Sequence, residues 1–487
     1  MEPFQRWSNP LKIIPLLRQR IKRPLFLPAH TRGASLPAPL QQLLRGRPGS
    51  WDLPELPELG GPLLDSGAVA DSQRTAATAM GAQHCWFGVH GATGLLQAAL
   101  LAITSPGEAV LLPRNVHRSV IQACLLGHLT PVLFDLPWLA DRGQPAPADE
   151  AWLNRVLAAL PTNGPPIAAA LLVHPTYQGY ATDPTPLIRL FHERNWPVLV
   201  DEAHGSHFAL EVDPALPHSA LHGGADLVVH SLHKSASGLA QTAVLWLQGD
   251  RIDPHAIHRS LSWLQTTSPS ALLLASCEAA LAEWQHPSGR KALRRNLDAA
   301  RDLAHRLREQ GVPLLVNQDP LRLVLHTGVA GISGLEADHW FLPRGLAAEL
   351  PEPATLTFCL GLKARRGLER DLCRAWSELL SAHPNRTAQP RFMPAPLPLV
   401  TQPAMELAKA WRARSIDVDL DQAAGGIAAE LVCPYPPGIP IVIPGERMDR
   451  LRLNWLIGQR ELWGEQIPKT VRMVVLEQDA SKPGSAQ

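Results

Sequence analysis

Apolar residues along the first half of this chain fall in short unbroken runs rather than in strict alternation. Gly107-Glu-Ala-Val-Leu-Leu112, Ala168-Ala-Ala-Leu-Leu-Val173, Pro197-Val-Leu-Val200 and Leu227-Val-Val229 are too short for stable helices and show no polar face. Such runs predict strands covered on both sides, as in a parallel sheet. Between them, Thr93 to Thr104 and Pro186 to Arg194 carry helical spacing. Strand, helix and strand in succession predict an α/β fold with a mainly parallel sheet, where ligands gather at the carboxyl ends of strands. Residues 271–310, from Ala271-Leu-Leu-Leu-Ala275 through Arg290-Lys-Ala-Leu-Arg-Arg295 to Leu307, predict long helices with a basic outer face. Residues 383–398 lack an apolar period and hold five prolines, three of them in the last five residues, which predicts an extended connector. The expected order is an N-terminal segment (1–75), a large domain (76–270), a helical or small domain (271–384), a Pro-rich linker (385–400) and a smaller α+β C-terminal domain (401–487), ending in a polar tail from residue 477.

Composition narrows the function class. At 487 residues the chain exceeds one ordinary core. Its 45 Lys and Arg nearly cancel 44 Asp and Glu, so no basic field points to nucleic acid, and a small-molecule partner is expected. Six cysteines, at 85, 124, 277, 359, 373 and 433, stand singly, which reads as reduced thiols, and no metal cluster is expected. The apolar run Ile13-Ile-Pro-Leu-Leu17 is broken by proline and lacks a cleavage pattern, and no later run would span a bilayer. A soluble cytoplasmic protein with no membrane partner is expected.

The candidate chemistry sits at strand ends. Val198-Leu-Val-Asp-Glu-Ala-His204 ends an apolar strand in an acid, and Ser231-Leu-His-Lys234-Ser follows another with a lysine flanked by hydroxyls. A lysine amine can form a Schiff base with the aldehyde of pyridoxal 5'-phosphate (PLP), and a carboxylate can keep its pyridine nitrogen protonated. Alone, Lys234 reads as a solvated strand-end lysine and Asp201 as a helix N-cap. A DEAH string also occurs in nucleotide-dependent helicases, but nothing here matches GxxxxGK[ST], the loop that would cradle a triphosphate. Phe87-Gly-Val-His-Gly-Ala-Thr-Gly94 opens a helix with a glycine turn suited to an anion, with Thr93 and the Ser231 cluster addressing one phosphate from two sides. A plain tight turn fits that string equally well. His117 follows the next strand and could lie flat on a cofactor ring; by itself it reads as a core or surface histidine.

In combination these strings resemble the Orn/Lys/Arg decarboxylases, fold-type-I PLP enzymes. The resemblance rests on Arg114-Asn-Val-His-Arg-Ser119, Pro175-Thr-Tyr-Gln-Gly179, Asp201-Glu-Ala-His204, Ser231-Leu-His-Lys234, Gln265-Thr-Thr-Ser-Pro-Ser270, Pro434-Tyr-Pro-Pro-Gly-Ile-Pro440 and Pro444-Gly-Glu446. It implies that Lys234 carries the cofactor, that Asp201 pairs with the ring nitrogen, that His117 stacks on the ring and that His204 supports its O3' side. Ala92, Thr93, Ser231 and His233 would surround the phosphate. The Thr266–Ser268 segment, with Thr267, would reach a neighbouring subunit's cofactor in a homodimer or higher homo-oligomer. Two strings depart from the family pattern: Pro28-Ala-His-Thr31 stands where PGHK is usual, and His90-Gly-Ala-Thr93 where NGST or NGTS is usual.

The implied function is decarboxylation of lysine, ornithine or arginine to cadaverine, putrescine or agmatine, with Lys234 or His233 returning the proton to Cα. Glu446 or Glu430 would meet the substrate's distal charge. Other fold-type-I chemistry (an aminotransferase or α-oxoamine synthase) and a catalytically altered PLP-binding homologue stay open from sequence.

Overall fold

The computed structural model describes residue 17 and residues 21–363, 366–434 and 438–475. The run at 13–16, the central Tyr-Pro-Pro of the proline string at 435–437 and the tail from 477 lie outside the described residues.

Helix α1 (Ala68–Met80) precedes the first strand of the main sheet, β1 (His84–Gly88), and α2 (Gly91–Ala102) follows it. Then come β2 (Ala109–Pro113), α3 (Arg118–Leu126), β3 (Thr130–Phe134), α4 (Glu150–Ala158), β4 (Ile167–Val173), α5 (Thr185–His192) and β5 (Val198–Asp201). The strands β6 (Leu227–Ser231) and β7 (Ala243–Leu247) complete this set before α6 (Pro254–Leu264), α7 (Ala271–Gln285) and α8 (Pro287–Glu309). A smaller sheet is built from β8 (Arg322–His326), β9 (Leu350–Pro351) and β10 (Thr355–Cys359), with α9 (Gly334–Phe341) and α10 (Leu368–Ala382) against it. The C-terminal region supplies β11 (Val400–Thr401), α11 (Leu407–Arg412), β12 (Ser415–Asp419), α12 (Arg450–Trp463) and β13 (Thr470–Val474).

The main sheet runs β11-β3-β2-β4-β5-β6-β7-β1. Neighbours from β3 through β6 are parallel, β7 is antiparallel to both β6 and β1, and β11 caps the far edge antiparallel to β3. The apolar runs are explained by burial on two faces. Leu111, Phe134, Leu172, Val200, Val228 and Trp246 pack into one core with α1, α5, α7 and α8, while Val110, Leu112, Leu171, Leu199, Val229 and Leu245 pack into another with α2, α3 and α6. The predicted mainly parallel α/β architecture is the observed one.

The stretch around residues 383–399 has no regular secondary structure, yet it is pinned to the large domain. Phe392 is buried against Gly143, where φ is 70° and a Cβ would come within 3.0 Å of that ring, so glycine suits the position. Trp138 Nε1 donates to Phe392 O (2.9 Å), and Asp135 N to Leu399 O (2.8 Å). Arg294 and Arg301, on the basic face of α8, both pair with the buried Asp213. Among the described residues no helix is long and apolar enough to cross a membrane.

Candidate active site

Register brings the chemistry together. Asp201 at the end of β5 is level with Val173 on β4 and Val229 on β6, and β1 and β2 point the same way. The segments leaving these strand ends enclose a cavity of about 460 Å³. Into it come Ala92 and Thr93 from α2, His117 from the turn before α3, and Asp201 and His204 from the end of β5. Ser231 at the end of β6 and His233 and Lys234 just beyond it also enter, so eight of the sequence-predicted cofactor residues share one cavity.

Each is held by local structure. Asp201 uses its backbone carbonyl to bind His174 N (3.0 Å), while its buried carboxylate accepts only Ala203 N (3.2 Å) among the described side-chain contacts. Burial raises its pKa, and the Lys234 charge partly offsets this. Lys234 sits on a single helical turn, Leu232–Ser235, with Nζ 3.0 Å from His204 Nε2 and 5.8 Å from the Tyr177 ring centroid. Its pKa is lowered by burial, opposed by Asp201 and Glu349 and assisted by Arg322. His117 caps α3: its Nδ1 accepts from Ser119 N (3.2 Å) and pairs with Ser119 Oγ (2.8 Å). Burial, then the charges of Lys234 and Arg118, lower the pKa of His117 to about 4. His233 falls to about 4 through burial and Lys234, and His204 lies well below its ordinary value for the same first reasons. These rings are neutral at pH 7.

The start of α2 lines the same cavity, with Gly91 N bonded to Gln241 O (2.8 Å). Gly91 has φ 68°, which admits glycine readily, and a Cβ there would meet nothing within 4 Å. His90 makes no side-chain cap, so the first N–H groups of this 12-residue helix are not covered by a capping side chain. The hydroxyls of Thr93 and Ser231 line the same cavity. An amine, a buried acid, a flat neutral imidazole and an uncapped helix start in one pocket fit PLP.

Three predicted residues lie elsewhere. Thr267 is exposed on the segment after α6, next to the start of α2, where Gln265 Nε2 comes within 3.4 Å of a Cβ built on Gly94. Glu446 does not line the cavity: it is buried between Arg114 (2.7 Å) and Arg452 (2.6 Å). Glu430 is an exposed acid 3.8 Å from Arg472. Sequence reasoning passed over four others. Glu349 lines the cavity, accepting Leu27 N at 2.8 Å and the Tyr177 hydroxyl. Tyr177 packs its ring 4.2 Å from that of His204. Arg322 places Nη2 3.4 Å from His204 Nδ1, and Asn115 lines the cavity with Oδ1 lacking a hydrogen-bond partner. Tyr177 and Asn115 lie at strand ends, a usable signal; Glu349 and Arg322 arrive from the smaller sheet and carry none.

Two models of one family match the chain. The model for the Orn/Lys/Arg decarboxylase major domain matches residues 30–328, and that for the C-terminal domain of the same family matches 387–468. The chain belongs to the Orn/Lys/Arg decarboxylase family. Among relatives in this decarboxylase family, the arginine decarboxylase of Halalkalibacterium halodurans is 30% identical over 450 residues, covering 88% of this chain and 89% of that protein. The arginine decarboxylase of Bacillus subtilis is 29% identical over 443 residues, with the same coverages. The solved lysine decarboxylase A of Pseudomonas aeruginosa shares the fold, with a TM-score of 0.72 at 17% identity over 87% of this chain and 74% of that one. The family and fold class read from the sequence strings are therefore borne out.

Proposed function

We propose that the chain is a PLP-dependent decarboxylase of a basic amino acid, with arginine as substrate and agmatine as product. Family membership supplies the reaction class. The observation that carries the cofactor is the convergence of Lys234, Asp201, His117 and the uncapped start of α2 on one cavity. Arginine is favoured because relatives at 29–30% identity over most of both chains are named arginine decarboxylases.

PLP, when bound, would supply an electron sink for the pair left behind by departing CO2. Lys234 would provide the amine that holds the cofactor, and its lowered pKa favours the free base. Asp201 would keep the ring nitrogen protonated; its burial among strand ends leaves it little else to bind. Neutral His117 would cover the ring face, and His204 would stand beside its oxygen. The N–H groups of Ala92 and Thr93, with the hydroxyls of Thr93 and Ser231, would take the phosphate. Lys234 or His233 would return a proton to Cα. Leu27, Leu96, Val173 and Ile439 give the cavity apolar wall, which would limit water at the reacting centre. Glu349 replaces Glu446 and Glu430 as the acid for the substrate's cationic end, because it lines the cavity and they do not. The working form is read as a cytoplasmic homo-oligomer; its oligomeric part is supported by Trp263, 85% exposed near the end of α6 and close in sequence to exposed Thr267.

Arginine, lysine and ornithine are offered to the purified protein with PLP and the products identified by mass spectrometry. Agmatine is expected; cadaverine or putrescine in its place would overturn the substrate, and no CO2 from any of the three would overturn the decarboxylase reading. Borohydride treatment should fix the cofactor's mass on the peptide containing Lys234.

A further inference from the structure

The turn that carries Asn115 and His117 is gripped from outside the large domain. Arg114, its first residue, places Nη2 2.7 Å from Glu446 Oε1 and also donates to Thr401 Oγ1. Glu446 is fixed in turn: its Oε2 accepts from Arg452 Nη2 (2.6 Å) on α12 and from Ile443 N (3.0 Å). At the other end of the turn Arg118 N donates to Gly438 O (2.9 Å), and Ile439 beside it lines the cavity. Two ties from one C-terminal loop therefore bracket His117.

We propose that Glu446 is a positioning residue which, through Arg114, holds the Asn115–His117 turn in place for the cofactor, so that the C-terminal region takes part in PLP binding without placing a carboxylate in the cavity. This rests on the PLP reading above. A buried ion pair adds little net stability over well-packed apolar side chains, but it fixes direction and register, which an apolar contact does not. Here the exposures are 13% for Arg114 and 4% for Glu446, and the Nε of Arg114 has no partner, so the Nη2 contacts to Glu446 and Thr401 set the guanidinium's orientation. Although burial alone would raise its pKa, the two guanidinium groups hold Glu446 at about 2, and the tie persists across the working pH range. The turn has little slack: Arg114 N bonds Phe134 O (2.9 Å), and His117 is committed to capping α3.

The test is a double-mutant cycle on the full chain with Glu446→Gln, His117→Ala and the pair, read as PLP affinity by absorbance titration after cofactor removal. Glu446→Gln is expected to weaken PLP about ten-fold, and in the His117→Ala background to weaken it no further. Additive losses would overturn the proposal, since a merely structural role acts independently of His117. Hydrogen exchange gives a readout free of PLP: Glu446→Gln should speed exchange of the Arg118 amide more than that of amides in α12, and unchanged exchange there would also overturn it. If wild-type protein binds no PLP, the cofactor reading fails, while exchange at Arg118 still decides the clamp. If Glu446→Gln does not fold, Arg114→Lys, which keeps the charge and loses the planar fork, takes its place in both measurements.

Discussion

The amine of Lys234 lies 3.0 Å from His204 Nε2, and the other nitrogen of that ring lies 3.4 Å from Arg322 Nη2. A guanidinium can only donate, so Nδ1 of His204 accepts and the ring proton is assigned to Nε2. That N–H then donates to Lys234, which must offer a lone pair. This arrangement favours the neutral amine at Lys234, the form that attacks an aldehyde, and burial and, after it, the Arg322 charge lower its pKa in the same direction.

Replacing Arg322 should disturb this state. Burial is the main cause of the lowered Lys234 pKa; in Arg322→Gln the added contribution of the Arg322 charge is gone, so that pKa moves part of the way back toward its ordinary value of 10.5. The pH at which PLP attaches half-maximally, followed by absorbance on mixing, should therefore move upward, and Arg322→Lys should move it less. An unchanged midpoint in Arg322→Gln would remove Arg322 from this role.

Asp201→Asn removes the buried acid without changing its size. PLP should still attach to Lys234, but kcat should fall on the order of 10²–10³-fold, about 3–4 kcal/mol of transition-state stabilisation. A variant with near-normal kcat would show that the ring nitrogen needs no acid here.

Glu349→Gln tests the substrate's cationic end. Loss of a charge-assisted contact should raise KM for arginine roughly ten-fold or more, about 1.4 kcal/mol upward, with a smaller effect on kcat. The same change at Glu430, exposed and outside the cavity, should leave KM unaltered. Steady-state kinetics on both variants separate the two acids.

Acid should weaken the PLP-free protein in a defined window. His117 and His233 titrate near 4 when folded, against 6.5 ordinarily. Above pH 6.5 neither state binds these protons and stability is unaffected. As pH falls from 6.5 toward 4 the unfolded chain takes protons that the folded one refuses, so stability declines by up to about 1.4 kcal/mol per pH unit for each histidine. Glu446 acts lower down, its contribution present above its ordinary 4.5 and lost as pH falls toward 2. His204, well below its ordinary value, adds to the same decline; urea unfolding at pH 7, 6 and 5 should show it, and His233→Gln should make its slope shallower.

Sequence alone determined the sheet and much of the pocket. The runs at 107–112, 168–173, 197–200 and 227–229 lack a polar face because helices cover both sides of their strands, and this local signal survives without any knowledge of packing. Parallel strands share a carboxyl edge, so Asp201, Lys234 and His117, each at or just past a strand end, had to meet there. Only the tertiary structure could decide the acids. Glu349 and Arg322 come from the smaller sheet, whose docking beside the β4–β6 edge is a contact between distant segments that no local period encodes. Glu446 was legible as part of a family string, but whether a carboxylate faces a ligand or two arginines depends on which side chains the fold brings to it, and here Arg114 and Arg452 arrive first.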